Sequence, residues 1–271
     1  MGRTTGIAAL CVVLAACAPP APDATTAVDR TVSPTIPTVR ATPPPPAARA
    51  PVPAIAPAPP APEPAPEAPE PSGPTLPQPP AGEFTSAVGP ITPELAARMT
   101  PTSWREGCPV PLEDLRHVTV SHVTFDGTVA TGEVVVHADV ADGVVQVFAE
   151  LFAAGYPVRS LRLVDDFGGD DDASMAADNT SAFNCRAITG GTEWSEHAYG
   201  RAIDLNPVEN PYVLGSHVAP SEGRDFADRP DAPGVIHADD VVVQAFAVAG
   251  WQWGGYWERP IDYQHFSVSG R

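Results

Sequence analysis

The sequence predicts an α+β domain over residues 84–271, a mainly antiparallel sheet flanked by helices. Three observations carry this. Two β-rich runs, residues 118–125 and 129–137, meet at Asp126-Gly127, a pair suited to a tight hairpin turn. Two later stretches read as helices, and in residues 144–154 the apolar positions fall at a period of 3.6. Strand and helix never alternate regularly, so a parallel, doubly wound sheet is not expected.

The elements follow in order. Thr92-Pro93-Glu94 offers an N-cap, a proline at the first helical position and an acid in the first turn, so a short helix opens there. The hairpin comes next. Val144, Val147, Phe148, Leu151 and Phe152 form one apolar helix face, which ends at Gly155. Residues 160–164 read as a short strand, and residues 165–172 as an acidic loop. The run Ala-Phe-Asn-Cys-Arg-Ala-Ile, 182–188, reads as a strand carrying Cys185. Residues 201–205 give another strand and residues 239–249 a helix capped near Asp239-Asp240 and closed at Gly250. Residues 261–268 give a last strand. No internal repeat is present.

Composition separates this domain from what precedes it. The chain has 271 residues and 35 prolines, and 23 of those prolines fall between Pro19 and Pro80. So proline-rich a stretch lacks the large apolar side chains of a core and reads as a disordered Pro/Ala-rich tether, residues 18–83. Its Ala-Pro repeats favour extended polyproline II at about 3.1 Å per residue, a semi-rigid spacer. A proline-rich ligand for partner domains is the weaker alternative. Residues 1–17 place Arg3 before an apolar run too short to span a bilayer but suited to a secretion signal. Leu14-Ala15-Ala16-Cys17 resembles a bacterial lipobox, so Cys17 is expected to be lipidated and to anchor the chain outside the cytoplasmic membrane. An ordinary cleaved signal is the alternative.

From Phe84 onward, 27 acidic residues face 11 arginines, and lysine is absent from the whole chain. A surface so negative excludes the basic-patch nucleic-acid binders. A single chain, a monomer, is expected. After processing, Cys108 and Cys185 remain as an even pair in an exported protein, most simply a disulfide. Closing that 77-residue separation would add about 4 kcal/mol on the loop-entropy model. Two free thiols are the alternative.

Three segments carry chemistry: residues 194–204 with Ser195, His197, Gly200, Ala202 and Asp204; residues 262–266 with Asp262 and His265; and residues 180–186 with Ser181 and Arg186. Here the chain resembles the zinc D-alanyl-D-alanine peptidases of bacterial cell walls. That family includes VanY-like carboxypeptidases and L-alanyl-D-glutamate endopeptidases. Its mark is Ser-x-His-x-x-Gly-x-Ala-x-Asp, followed later by an acid three residues before a second His. The resemblance covers residues 160–271 and implies a Hedgehog/DD-peptidase-like fold.

It also implies one catalytic Zn2+ held by His197, Asp204 and His265, two imidazoles and a carboxylate with a fourth position left open. Asp262 takes the general-base position. The family's usual Arg before the first His motif is missing here, because Gly168-Gly169 stands where it would be sought. Arg186 is the replacement candidate for oxyanion stabilisation, with a surface ion pair as its alternative. Ser181 and Ser195 are expected to contact substrate. Trp253 and Trp257, in a segment that resembles the Trp-Gly-Gly-x-Trp of the endopeptidase branch, are expected to wall a cleft, core packing being the alternative. Glu258 competes with Asp262 as base but lies off the motif. His217, His237 and the Asp170-Asp171-Asp172 run are expected to be ordinary polar surface.

The implied function is hydrolysis of an amide bond beside a D-amino acid in a peptidoglycan stem peptide, in the cell wall. A carboxypeptidase is narrowly favoured over an endopeptidase. A catalytically silent wall-binding lipoprotein is a further alternative, as is a serine hydrolase, which would need a nucleophile elbow that the sequence lacks.

Overall fold

The computed structural model describes residues 82–271. The signal segment with Cys17 and the proline-rich tether up to residue 81 lie outside the described residues. Among the described residues no helix is long and apolar enough to cross a membrane.

The first layer is a three-stranded antiparallel sheet of β1 (Ser86–Pro90), β2 (Leu115–Val123) and β3 (Val129–His137), in that order. Its hairpin turn forms where expected. Asp126 Oδ1 accepts from the Thr128 N–H at 3.1 Å, and Thr124 N–H bonds Thr128 O at 2.8 Å, so a short polar side chain replaces the ladder at the bend. Between β1 and β2 lies α1 (Pro93–Met99), with Thr92 as its N-cap, accepting from Leu95 N–H at 3.2 Å. Across the sheet packs α2 (Ala141–Ala153), which starts three residues before Val144, where its apolar period begins. Its buried face is Val144, Val147, Phe148 and Leu151, seated in one core with Val118, Val120, Val134 and Val136. Each such side chain contributes roughly 1.5–3 kcal/mol by leaving water.

The second half is assembled from short pieces. A parallel ladder joins β4 (Ser160–Leu161) to β5 (Asn179–Thr180), with α3 (Asp171–Ala176) between them. A three-stranded sheet orders β6 (Ala202–Asp204), β11 (His265–Ser267) and β9 (Gln252–Trp253), so β11 is central. Another holds β7 (Tyr212–Leu214) between β8 (His217–Ala219) and β10 (Ile261–Asp262). The helix α4 (Val241–Val248) is capped by Asp240, which accepts from Val243 N–H at 3.0 Å. Phe246 of α4 stacks on Phe266 at 3.9 Å between ring centroids, which joins these sheets to the α2 core. The α+β expectation holds, but the antiparallel sheet is divided into three small ones.

Three local expectations are corrected. The 182–188 run is extended but pairs with no single strand. Phe183 N–H bonds Val135 O, Asn184 N–H bonds His197 O and Cys185 N–H bonds Ser103 O, while residues 186–188 bridge antiparallel to 193–195, so its backbone is divided among several partners. The stretch 261–268 is two strands in two sheets, with β10 paired to β7 and β11 to β6 and β9. The acidic loop holds a 3-10 turn, Val164–Phe167, and the start of α3. There Asp170 caps by accepting from Ala173 N–H at 3.1 Å, and Asp171 and Asp172 sit in the first turn, where helix dipoles favour negative charge. The cysteines do pair. Cys108–Cys185 is a disulfide with an S–S distance of 2.00 Å, and Cys185 is buried with Leu95, Met99, Leu115 and Phe183 in a second apolar cluster.

Candidate metal centre

Two backbone devices bring the three motif side chains together. The first is the register of β6 and β11, in which His265 lies directly opposite Asp204. Opposed residues of an antiparallel pair point to the same face with Cβ atoms about 5 Å apart, so an acid and an imidazole 61 positions apart become neighbours. The second is the 3-10 turn Glu196–Tyr199. Ser195 caps it, its Oγ accepting from the His197 N–H at 3.3 Å, and Gly200 ends it in the left-handed region at φ 66°. A Cβ on Gly200 would stand 2.6 Å from the backbone nitrogen of His137, whose N–H bonds Gly200 O at 2.8 Å. The turn can therefore press against β3 and lead straight into β6, which folds His197 back over Asp204.

His197 Nε2 lies 3.1 Å from Asp204 Oδ2, His265 Nδ1 lies 2.9 Å from Asp204 Oδ1, and the two imidazole nitrogens are 3.3 Å apart. All three residues are buried. The far side of each ring explains which nitrogen faces inward. His197 Nδ1 donates to Ala182 O at 2.6 Å and His265 Nε2 donates to Arg271 O at 2.8 Å, since a carbonyl oxygen can only accept. With both rings neutral, each would turn a lone pair toward the other and toward a carboxylate. Three acceptors converge on one point with no donor among them, an arrangement that only a cation or a bound proton can stabilise. Ligand atoms on a tetrahedral ion with bonds of roughly 2.0–2.1 Å stand about 3.3 Å apart, close to the spacing found. The donor set, two imidazoles and one carboxylate with a carbonyl behind each ring, fits zinc in chemistry and in spacing.

The electrostatics agree. Burial alone would lower the pKa of His265, but the hydrogen bond and charge of Asp204, the charge of Asp262 and the Arg271 carbonyl raise it to about 9. Burial would raise Asp204, yet the charges and hydrogen bonds of His197 and His265 hold its carboxyl well below the usual range. Asp262, on β10, behaves oppositely. Its Oδ1 is shut off from solvent with no hydrogen-bond partner. Burial raises its pKa to about 7, with Asp204 adding to the rise and His265, His197 and Gln264 opposing it. A carboxyl at that value can both take and return a proton near neutrality.

The other sequence candidates fall around this point in different ways. Ser195 is the cap just described. Ser181 is buried, and its backbone pairs with Asp204 through Ser181 N–H to Asp204 O at 3.1 Å and the reverse bond at 2.9 Å. Trp257 sits beside the donors, its ring centroid 5.5 Å from that of His265 and its Nε1 donating to Gly270 O at 3.1 Å. Trp253 takes the core alternative: it is buried, ranged over Phe266 at 6.3 Å, with its indole N–H on Tyr263 O at 2.8 Å. Arg186 is joined to the site through its backbone, where Ser195 N–H bonds Arg186 O at 3.1 Å. Its guanidinium is paired with Asp171 at 2.6 Å, while Nε is buried without a partner. Glu258, the rival base, is exposed.

Sequence reading missed three participants: the carbonyls of Ala182 and Arg271, and Asp171. A backbone carbonyl leaves no mark in residue type, so the first two had no signal. Asp171 had one, a carboxylate in an acidic run upstream of an arginine that itself needed placing.

Residues 189–268 match the family model described as D-alanyl-D-alanine carboxypeptidase. That span contains His197, Asp204, Asp262 and His265, the residues on which the resemblance rests. Comparison with curated proteins and with solved structures returns no match.

Proposed function

We infer that this chain, whose residues 189–268 match the family model described as D-alanyl-D-alanine carboxypeptidase, is a zinc-dependent peptidase that hydrolyses stem peptides of peptidoglycan. The observation that carries the reading is the convergence of three buried acceptors at donor spacing, with a carboxyl poised near neutrality beside them. His197, Asp204 and His265 would hold the zinc. The ion supplies Lewis acidity and makes water a nucleophile near neutral pH.

The chain's own groups do the rest. Asp262, whose carboxyl burial raises well above the ordinary carboxylate range, would accept the proton of the attacking water at its carboxylate and return it to the departing amine nitrogen. Arg186 offers the positive charge for the oxyanion, steadied by Asp171. Trp257 forms one wall and limits water at the reacting bond. Ser195 acts through the turn it caps, and this use of its hydroxyl speaks against a serine nucleophile. A lipid anchor at Cys17 and the long tether would let the domain work in the wall at a distance from the membrane.

The favoured reaction is removal of the terminal D-alanine. The endopeptidase reading draws support from the Gly254-Gly255 turn and Trp257 standing against His265, as in the segment the chain shares with that branch. Incubating the full chain with defined muropeptides and zinc, followed by mass spectrometry, separates them. Loss of one alanine identifies a carboxypeptidase, and a cut after the first stem residue an endopeptidase. No cleavage with zinc present would favour a silent wall-binding module. A chelator that leaves cleavage intact would overturn the metal-dependent reading.

A further inference from the structure

Trp257 borders a second feature besides the metal centre. It lines a groove of about 400 Å³ together with Val243, Trp251, Gln252, the otherwise buried Trp253, Tyr256 and Gly270. None of the groove's residues is charged, although acids outnumber arginines by 27 to 11 over the domain.

Tyr256 is the unusual member. Its side chain is 55% exposed, yet it is fixed at both ends. The hydroxyl donates to Asp239 Oδ1 at 2.9 Å and accepts from Asp239 N–H at 3.3 Å, while the ring meets Trp253 edge-on at 5.1 Å. Asp239 adopts φ 60°, a region that residues other than glycine seldom occupy, in making this clamp. An exposed ring gains nothing from being immobilised in water. Immobilised in advance, it loses less entropy when a ligand lies on it.

We propose that this groove binds a neutral saccharide, the N-acetylated hexosamine portion of a substrate whose peptide reaches the metal centre past Trp257. The claim rests on the peptidoglycan reading above and names what lies beyond the stem. Three features favour the saccharide. Pre-set aromatic surface suits the apolar faces of a sugar ring. The Gln252 amide at the rim can exchange hydrogen bonds with hydroxyl or acetamido groups. An uncharged lining on a strongly negative domain disfavours anionic occupants. The groove adjoins the centre, because one residue, Trp257, borders both.

The test uses the full chain and a soluble N-acetylglucosamine oligomer, titrated by tryptophan fluorescence. Saturable binding is expected, at least tenfold weaker in Tyr256→Ala. Binding should be weakened less in Tyr256→Phe, which keeps the ring but frees it from Asp239, and also weakened in the exposed Gln252→Ala. Circular dichroism checks that each variant folds. No saturable binding by the parent chain, or equal binding by a folded Tyr256→Ala, overturns the proposal. A parallel assay compares KM for a free pentapeptide and a disaccharide-pentapeptide. The sugar should lower KM, and Tyr256→Ala should bring the ratio toward one. If neither peptide is cut, the peptidase reading fails while the oligomer titration still decides the groove.

Discussion

Replacing Gly254 by alanine should displace the Asp262 carboxyl, the proposed base, while meeting His265 only at ordinary van der Waals contact. Gly254 opens the turn after β9, and a Cβ built there stands 2.6 Å from Asp262 O, 3.1 Å from Asp262 Cβ and 3.4 Å from His265 Cβ. The nearest of these is a backbone oxygen, which no rotamer change can withdraw. Restoring ordinary contact with the Asp262 oxygen requires β10 or the turn to shift by about 0.8 Å. Overpacking of this kind costs roughly 1–3 kcal/mol of stability. A misplacement approaching 1 Å at a proton-transferring group costs on the order of 10²-fold in rate. Gly254→Ala should therefore bind close to one zinc per chain while kcat on a stem peptide falls by one to two orders of magnitude. Metal content by atomic emission, a thermal melt and a steady-state assay on one preparation give all three readings. Wild-type turnover with an unchanged melting temperature would refute the reasoning, because it would mean the turn never bears on Asp262.

The remaining expectations are simpler. Asp262→Ala should keep zinc and lose turnover, whereas His197→Ala should lose both; equal loss of zinc would move Asp262 among the ligands. Zinc uptake should release about one proton at pH 7.5, because the metal-free His265 holds its proton up to about 9 and must give it up. Apparent affinity then rises as pH rises toward 9, and calorimetry in buffers of different ionisation enthalpy that detects no proton release contradicts this. Burial and then the neighbouring Asp178 raise Glu209 to about 8, above the 4.5 of a free glutamate. The stability it contributes is complete below pH 4.5 and lost as pH rises through 8. Glu209→Gln, which cannot ionise, should melt with a flatter pH dependence between 5 and 8, and an unchanged slope would exclude Glu209 as the cause.

How far the sequence reached depended on how local each determinant was. The Thr92 cap, the Asp126-Gly127 turn and the apolar face of α2 depend on neighbours within a few residues, and each formed as read. The cluster of His197, Asp204 and His265 was legible because one turn motif and one short C-terminal motif fix these residues in the chain. Their meeting, however, depends on a β6–β11 register that neither motif encodes alone. The run 182–188 looked like a strand because it is extended and apolar. Over 183–185 its N–H groups bond Val135, His197 and Ser103, partners set by the tertiary fold, and only 186–188 bridge to the nearby 193–195. Residues 261–268 looked continuous because composition does not change where the chain passes from one sheet to another at Tyr263. Trp253 was undecided for a similar reason: in a two-residue strand, no alternation tells which face is inward.

Everything argued for catalysis depends on an ion being held by residues 197, 204 and 265. The most direct measurement is an anomalous difference map at the zinc absorption edge from crystals grown with zinc. The account predicts one strong peak about 2.0–2.2 Å from His197 Nε2, His265 Nδ1 and an Asp204 oxygen. A zinc peak bound by other residues, or none between these three, would contradict it.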